Sequence, residues 1–343
     1  MKRTLLPALL FVLFSSALFA RSSGGYAGFV QRMGPGGAEL SRGNTGVADP
    51  SALPAAYWNP AAASTLRAAS LSVAGEWRSL DRQGGSLGGA LPIGSRALFA
   101  YAMLWRGDSE VKWIDEEDRD VGTLSPSWST HYIGLGWRLT RTSGIGITGQ
   151  WRLWSSDIEG ESWSSPVSLG FSWYKEWNRR FSTGVVLRDL GIASGGIARF
   201  RQETPGADGG SSEDFYPRTL VVGSRYTTAL AGFPFRMLLD VVDLQLSDRS
   251  IAGWSDHELQ GRVGVEWEPL QQGRLRAGWD DGNWSVGLGW VIDAVQVASW
   301  RGESPSSREK KGRTWSLELD YQLLWERHST FFNPLGFSLR WLF

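Results

Sequence analysis

The sequence predicts an all-β protein: a transmembrane antiparallel β-barrel of about 14 strands, with 16 as the runner-up, preceded by an N-terminal plug. Three observations predict it. The N-terminus has the layout of an export signal. Most of the chain beyond residue 69 alternates in polarity with a period of two. Aromatic residues crowd the ends of the alternating stretches.

In the first 20 residues, Lys2 and Arg3 precede an uncharged apolar run, Thr4 to Phe19, with small residues at Ser15, Ser16, Ala17 and Ala20. A basic start, an apolar middle and small residues before the cut define a secretory signal peptide. Cleavage after Ala17 and cleavage after Ala20 both fit, and the run is short for an uncleaved membrane anchor.

Composition narrows the rest. The 343 residues carry 35 Lys plus Arg against 35 Asp plus Glu, which argues against a nucleic-acid partner. The chain has no Cys, which excludes a disulfide framework, a zinc-thiolate site and a lipid-anchored N-terminal Cys. Past the N-terminus no apolar stretch is long enough for a membrane helix. No cofactor and no enzymatic activity are expected.

Alternation is clearest from His257 to Pro269. Glu258, Gln260, Arg262, Gly264, Glu266 and Glu268 share one face, and Leu259, Gly261, Val263, Val265 and Trp267 share the other. A strand sorts these residues and a helix scatters them. The same sorting sets Arg274 and Arg276 against Leu275, Ala277 and Trp279, and Glu318, Asp320 and Gln322 against Leu317, Leu319 and Tyr321. A soluble sandwich also alternates. However, these stretches approach the roughly 9–11 residues that cross a bilayer at a tilt. Trp77, Trp105, Trp128, Trp151, Trp154, Trp173, Trp177, Trp267, Trp300 and Trp325 sit near their ends, where a membrane girdle needs indoles. The chain ends in an alternating segment with Phe337, Leu339, Trp341 and Phe343 on one face. It resembles the signal that outer-membrane proteins present to the barrel-assembly machinery. An integral outer-membrane location follows, with outer-membrane lipid and lipopolysaccharide as surroundings.

Fifteen strand starts are legible, near residues 69, 84, 95, 128, 144, 165, 181, 217, 235, 256, 272, 283, 294, 313 and 335, but a single-chain barrel has an even number. Either 283–300 is one strand, despite a parity flip at Asp293, or another strand lies within 106–127 or 190–216. Polar segments 106–127, 154–164, 190–216 and 301–312 read as long outer loops, and Pro92–Ser95 and Thr140–Ser143 as tight turns.

Residues 21–68 are rich in small residues and do not alternate, reading as a linker or as a plug folded into the barrel. Its run Tyr57-Trp58-Asn59-Pro60-Ala61, with Asp49 and a Gly/Ala-rich stretch before it, resembles the N-terminal hatch of the FadL-like transporter superfamily. It most resembles the PorV/PorQ branch and its uncharacterised relatives. Supporting segments are Phe181 to Gly191, Tyr216 to Leu220, and Leu275 to Trp279 followed by Gly287-Leu288-Gly289. The family usually has Gly where this chain has Ala62. The resemblance implies a fourteen-strand barrel, 69–343, plugged by its N-terminus. Some members pass hydrophobic molecules; PorV-type members are secretion accessories that hold a secreted protein.

Other chemistry reads weakly. Gly144 to Gly149 matches a dinucleotide fingerprint but sits inside a strand pattern rather than before a helix. His131, His257 and His328 lack metal-ligand spacing, so no metal site is expected. Asp115 to Asp120 reads as a solvated acidic loop. Arg152, Arg188, Asp240, Glu258, Arg262, Glu266, Arg274, Arg276, Glu318 and Asp320 are expected to line the lumen in cross-strand pairs, with Arg274 and Arg276 beside the Glu258/Glu266 row. Tyr57, Trp58, Asn59 and Pro60 are the candidate ligand path. Passive transport of a small hydrophobic compound is the leading reading, and a non-transporting accessory or structural barrel the alternative.

Overall fold

The computed structural model describes residues 33–66, 69–77, 82–108, 111–114, 120–155, 162–164, 167–191, 196–203, 211–245, 257–270, 272–293, 316–325 and 333–342. The signal-peptide segment, His328, Trp300, Phe343 and most of the acidic loop lie outside them.

Among the described residues, fourteen strands form one ring. They are β1 (Ser70–Trp77), β2 (Gln83–Ile93), β3 (Ala97–Gly107), β4 (Ser127–Thr140), β5 (Ser143–Ser155), β6 (Ser168–Asn178) and β7 (Phe181–Gly191). The second half is β8 (Arg218–Leu230), β9 (Phe233–Gln245), β10 (His257–Trp267), β11 (Gly273–Asp280), β12 (Asn283–Asp293), β13 (Ser316–Trp325) and β14 (Asn333–Leu342). Each pairs antiparallel with its neighbour in sequence, and β14 returns to β1 in a register running from Ser70 opposite Leu342 to Glu76 opposite Gly336. Closure removes both sheet edges, whose unpaired amides and carbonyls hydrocarbon cannot satisfy.

The structure settles the strand arithmetic. β12 stops at Asp293, where the parity flips, and pairs directly with β13, so the ring closes without a strand starting at 294. Segments within 106–127 and 190–216 do pair into hairpins, Val111–Ile114 with Asp120–Leu124 and Gly196–Glu203 with Ser211–Tyr216. The second joins the wall through Leu190 and Gly191, and the first is a separate two-stranded sheet. One loop expectation is corrected. The connection containing 301–312 leaves from Asp293 and re-enters at Ser316, level with Ser70 and Leu342. That is the end with the tight turns, opposite to the other three long segments.

The wall is inverted relative to a soluble protein. On β10 and β13, Glu258, Gln260, Arg262, Glu266, Glu318, Asp320 and Gln322 are buried, whereas Leu259, Leu319 and Tyr321 are exposed. Leu288 is 57% and Trp284 63% exposed, against 1% for Glu266. Each large apolar side chain on the outside gains about 1.5–3 kcal/mol on leaving water, so a bilayer is the solvent this surface fits. Trp77, Trp105 and Trp284 stand exposed toward the long-loop end, and Trp137 and Trp177 toward the tight-turn end, as two interfacial girdles require. Trp128, Trp151, Trp173 and Trp267 are half-buried.

The inside has two sectors. Strands β2, β3, β4, β7, β8 and β9 present Ala90, Leu98, Ala100, Ala102, Leu104, Tyr132, Val186, Val221, Leu238, Val242 and Leu244. Strands β10 to β13 present mostly charges and amides.

A closed barrel in detergent should migrate differently on a gel before and after boiling, with a strand-rich circular dichroism spectrum. Deleting residues 333–343 removes the strand that joins β1 to β13, and should abolish the fast-migrating folded species. Persistence of that species would contradict the closure.

Candidate functional site

Residues 34–64 lie against the inner faces of strands all around the ring and are almost wholly buried. Three short helices shape them: α1 (Gly37–Ser41), α2 (Ala55–Trp58) and α3 (Pro60–Ala63). None is long enough to be stable alone, so packing holds them. Asn59 explains its place before Pro60. Its Oδ1 accepts from Ala62 N at 3.1 Å as the N-cap of α3, with Pro60 pre-set for the first turn. Its Nδ2 donates to Val47 O at 2.8 Å and to Trp173 O on β6 at 3.2 Å, tying helix, segment and wall together. Trp58 is 1% exposed and donates Nε1 to Pro35 O at 3.2 Å. Asp240 Oδ2 on β9 accepts from Gly46 N at 3.0 Å and Val47 N at 3.3 Å.

Close approach to the wall is possible because of glycine. Gly43 adopts φ 65° and lies on Gly278 of β11, where an added Cβ would stand 1.9 Å from Gly43 N. No other residue fits at Gly278 without displacing the segment.

Below this contact sits a buried charge network. Arg42 donates to Asp49 at 2.9 Å and Glu39 at 3.4 Å, and stands 3.7 Å from Glu266. Glu266 also pairs with Arg276 at 2.6 Å and with Arg236, and Asp49 with Arg225 at 3.2 Å. Arg276 then reaches Asp320 at 2.5 Å and Glu318, which also takes Arg274 at 2.6 Å. Five guanidiniums thus face five carboxylates across segment and wall. Planar forks suit such multiple carboxylate contacts better than ammonium groups would. Burial pushes the Asp49 carboxyl upward, but Arg42, Arg225 and Arg236 outweigh it and hold the group well below the ordinary carboxylate range.

On the long-loop side of α2 a cleft opens between the segment and the wall. It is narrow and is lined by Tyr57, Tyr132, Tyr216, Val221, Val242, Arg152, Arg188 and Arg262. Arg188 donates to Tyr57 O at 2.6 Å with its guanidinium 4.5 Å from the Tyr57 ring centre. Arg152 lies 3.8 Å from the centre of the Tyr216 ring and pairs with Asp189. Arg262 pairs with Asp280 at 2.9 Å. Rings and cations therefore share one small space, a surface for compounds with an apolar body and a polar end.

All ten lumen charges expected from the sequence fall on the inner face, and their partners differ from the expected row in one respect. Arg276 meets Glu266, whereas Arg274 bonds Glu318; Glu258 takes Gln260 Nε2 at 2.9 Å at the far end of β10. The offset arises because Glu266 stands opposite Arg276 in the register and Glu258 lies beyond the end of β11. Tyr57 lines the cleft, whereas Trp58, expected on the ligand path, is buried within the segment behind it; Asn59 and Pro60 brace the segment. Phe337, Leu339 and Trp341 lie on β14 opposite Gly75, Val73 and Leu71.

Sequence reading missed Arg42 and Glu39 as lumen charges, because segment 21–68 has no period from which to read direction; it also missed Arg225 and Arg236, although they share strand parity with the inward Val221 of β8 and Leu238 of β9. It missed Asp189 for a different reason. A register shift between Leu187 and Leu190 and a positive φ of 62° at Asp189 form a bulge that brings it into the lumen beside Arg188. Two adjacent charges, Arg188-Asp189, in an alternating stretch were the available signal.

Removing one partner of a buried network leaves the others uncompensated. Arg42→Ala should lower unfolding stability by about 3–5 kcal/mol in a urea titration in detergent; an unchanged midpoint would show the network to be idle. Since the Asp49 pKa is lower folded than unfolded, its contribution is present above about pH 4 and is lost as pH falls below that value. Asp49→Asn should therefore flatten the acid side of the stability profile, and an unaltered acid limb would refute the assignment.

Comparison with solved structures places this fold. The chain resembles the Ralstonia pickettii toluene transporter TbuX, at 10% identity and a TM-score of 0.54 over 91% of this chain and 99% of that one. It resembles a Pseudomonas aeruginosa FadL homologue at 12% identity and a TM-score of 0.54, covering 90% and 98%. The CymD monoaromatic hydrocarbon channel aligns at 8% identity and a TM-score of 0.56, covering 93% and 97%. No protein-family model matches the sequence, and no curated protein matches it. The expected closeness to the PorV/PorQ branch finds no support in these likenesses, which are of fold alone. The chain has the barrel fold of the FadL-type channels.

Proposed function

We propose that the protein is an outer-membrane channel for passive passage of small hydrophobic compounds, with residues 21–68 as its plug. The observation that carries this reading is the cleft above Tyr57, bounded by the segment on one side and the wall on the other. Its aromatic rings suit an apolar body, and Arg188, which among the described residues bonds the backbone carbonyls of Tyr57 and Trp58, suits a polar or anionic end. Toluene and monoaromatic hydrocarbons are named for the structural neighbours; their passage through this chain is part of the proposal. The C-terminal strand, with Phe337, Leu339, Trp341 and Phe343, presents the signal to the barrel-assembly machinery.

A second reading is a non-transporting barrel, a secretion accessory of PorV type that holds a secreted protein, or a structural protein. The packed interior of paired charges favours it, since a permeant must move the segment against buried ion pairs. The readings separate in one set of measurements. In planar bilayers the intact protein should conduct ions poorly, and a version lacking residues 25–60 should show large, stable conductance, because the emptied polar lumen fills with water. Cells carrying the intact protein should take up toluene or dodecanoate faster than cells without it. Tyr57→Ala with Arg188→Gln should slow dodecanoate uptake several-fold. Opened conductance with no uptake or binding of either compound would move the assignment to the accessory reading.

A further inference from the structure

Among the described residues, the tight-turn end of the barrel gathers its exposed cations on one arc. Residues 94–96, 138–143 and 175–181, which carry the β2–β3, β4–β5 and β6–β7 turns, hold Arg96, Arg138, Arg141, Lys175, Arg179 and Arg180 against the single carboxylate of Glu176. The next turn, between β8 and β9, is uncharged, with Leu230 and Phe233 exposed. Arg96, Arg141, Arg179 and Arg180 are exposed at the rim.

The backbone of the turns that carry these cations is held in place. Arg138 N donates to Arg96 O at 2.8 Å, Glu176 N to Thr142 O at 2.7 Å, and Thr227 N to Arg180 O at 2.7 Å, so each turn is tied to a neighbouring strand. Asn178 Oδ1 accepts from Arg180 N at 2.8 Å and Phe181 N at 3.0 Å, fixing the Arg179-Arg180 turn. Lys175 Nζ donates to Thr142 Oγ1 at 3.2 Å and Arg138 Nη2 to Ser95 O at 2.5 Å.

Directly inward of this rim stands the apolar belt. Leu91, Ile93, Trp137, Leu139, Ile145, Trp177 and Phe181 are all exposed on the same strands. Cations on fixed turns, one step beyond exposed indoles and aliphatic side chains, match a phospholipid at its boundary: acyl chain on the belt, phosphate on the arginines. A soluble acidic protein would need the cations and would leave the belt unexplained. The tight turns between β2 and β3, β4 and β5, β6 and β7, and β8 and β9 mark this end as periplasmic. We propose that the arginine-bearing half of this rim is a docking surface for anionic phospholipid headgroups of the inner leaflet. It would fix the barrel's depth and attract anionic lipid along the β2–β7 arc.

The test uses the full-length folded protein in detergent. Phosphatidylglycerol and phosphatidylcholine of equal chain length are titrated separately, and bound lipid is counted by native mass spectrometry. The wild type should retain phosphatidylglycerol preferentially, with the preference falling as salt rises. The variant Arg96→Gln/Arg141→Gln/Arg179→Gln/Arg180→Gln should lose that preference by on the order of tenfold or more, while keeping its heat-modifiable migration. Should that variant fail to fold, Arg179→Gln/Arg180→Gln alone should lose part of the preference. Equal retention of the two lipids by the wild type, or an undiminished preference in a folded variant, would overturn the proposal. Glycerol 3-phosphate, which carries the phosphate without acyl chains, should compete weakly; full competition would show free-anion binding and would also overturn it.

Discussion

Arg276 is the point on which much of the interior depends. It is 3% exposed and holds Glu266, Glu318 and Asp320 at once. Once hydrocarbon solvates the outside of the wall, every charged side chain on the strands has to turn inward. There each charge loses water and survives only if paired. The lumen of β10 to β13 is therefore a set of mutually compensating ions, and Arg42 of the inner segment completes it through Glu266 and Asp49. Segment and wall are joined by electrostatics on this side. On the other, Tyr57 and Trp58 meet an apolar face lined by Ala100, Ala102 and Leu104.

This division gives the site its character. The charged side anchors, because moving the segment away would separate buried ion pairs. The apolar side leaves the cleft beside Tyr57, where Arg188 and Arg152 each sit against an aromatic ring. A passage through such a barrel has to follow the wall around the anchor rather than the barrel axis. The bulge at Asp189 lies beside that route, and places two charges on the lumen side where regular pleating would allow one.

The small residues of the inner segment and the inward glycines of the wall are two halves of one constraint. Backbone lies on backbone at Gly43 and Gly278, which leaves no room for side chains between them. Ala62 stands where the resembling family usually has Gly, yet it is fully buried and accepted within α3, since a helical φ suits alanine and its methyl packs in the cluster with Tyr174 of the wall.

The sequence by itself determined the architecture that depends on period. Alternation along 257–268 or 316–323 dictates which side chains meet lipid and which meet the lumen, because a strand has only two faces and a bilayer tolerates only one kind outside. Asn59 and Pro60 were open along the chain to either a turn or a short helix, and the fold makes them the start of α3. What only the tertiary structure decided was everything that depends on register and closure: that β12 pairs β13 without a further strand, that the 301–312 loop emerges at the tight-turn end, and that Arg274 meets Glu318 rather than Glu258. It alone brought Arg42, Glu39 and Asp49 into the lumen network, because a segment without periodicity carries no record of the direction in which its side chains point. Pairing partners 200 residues apart are set by the circumference of the ring, and no local run of residues encodes a circumference.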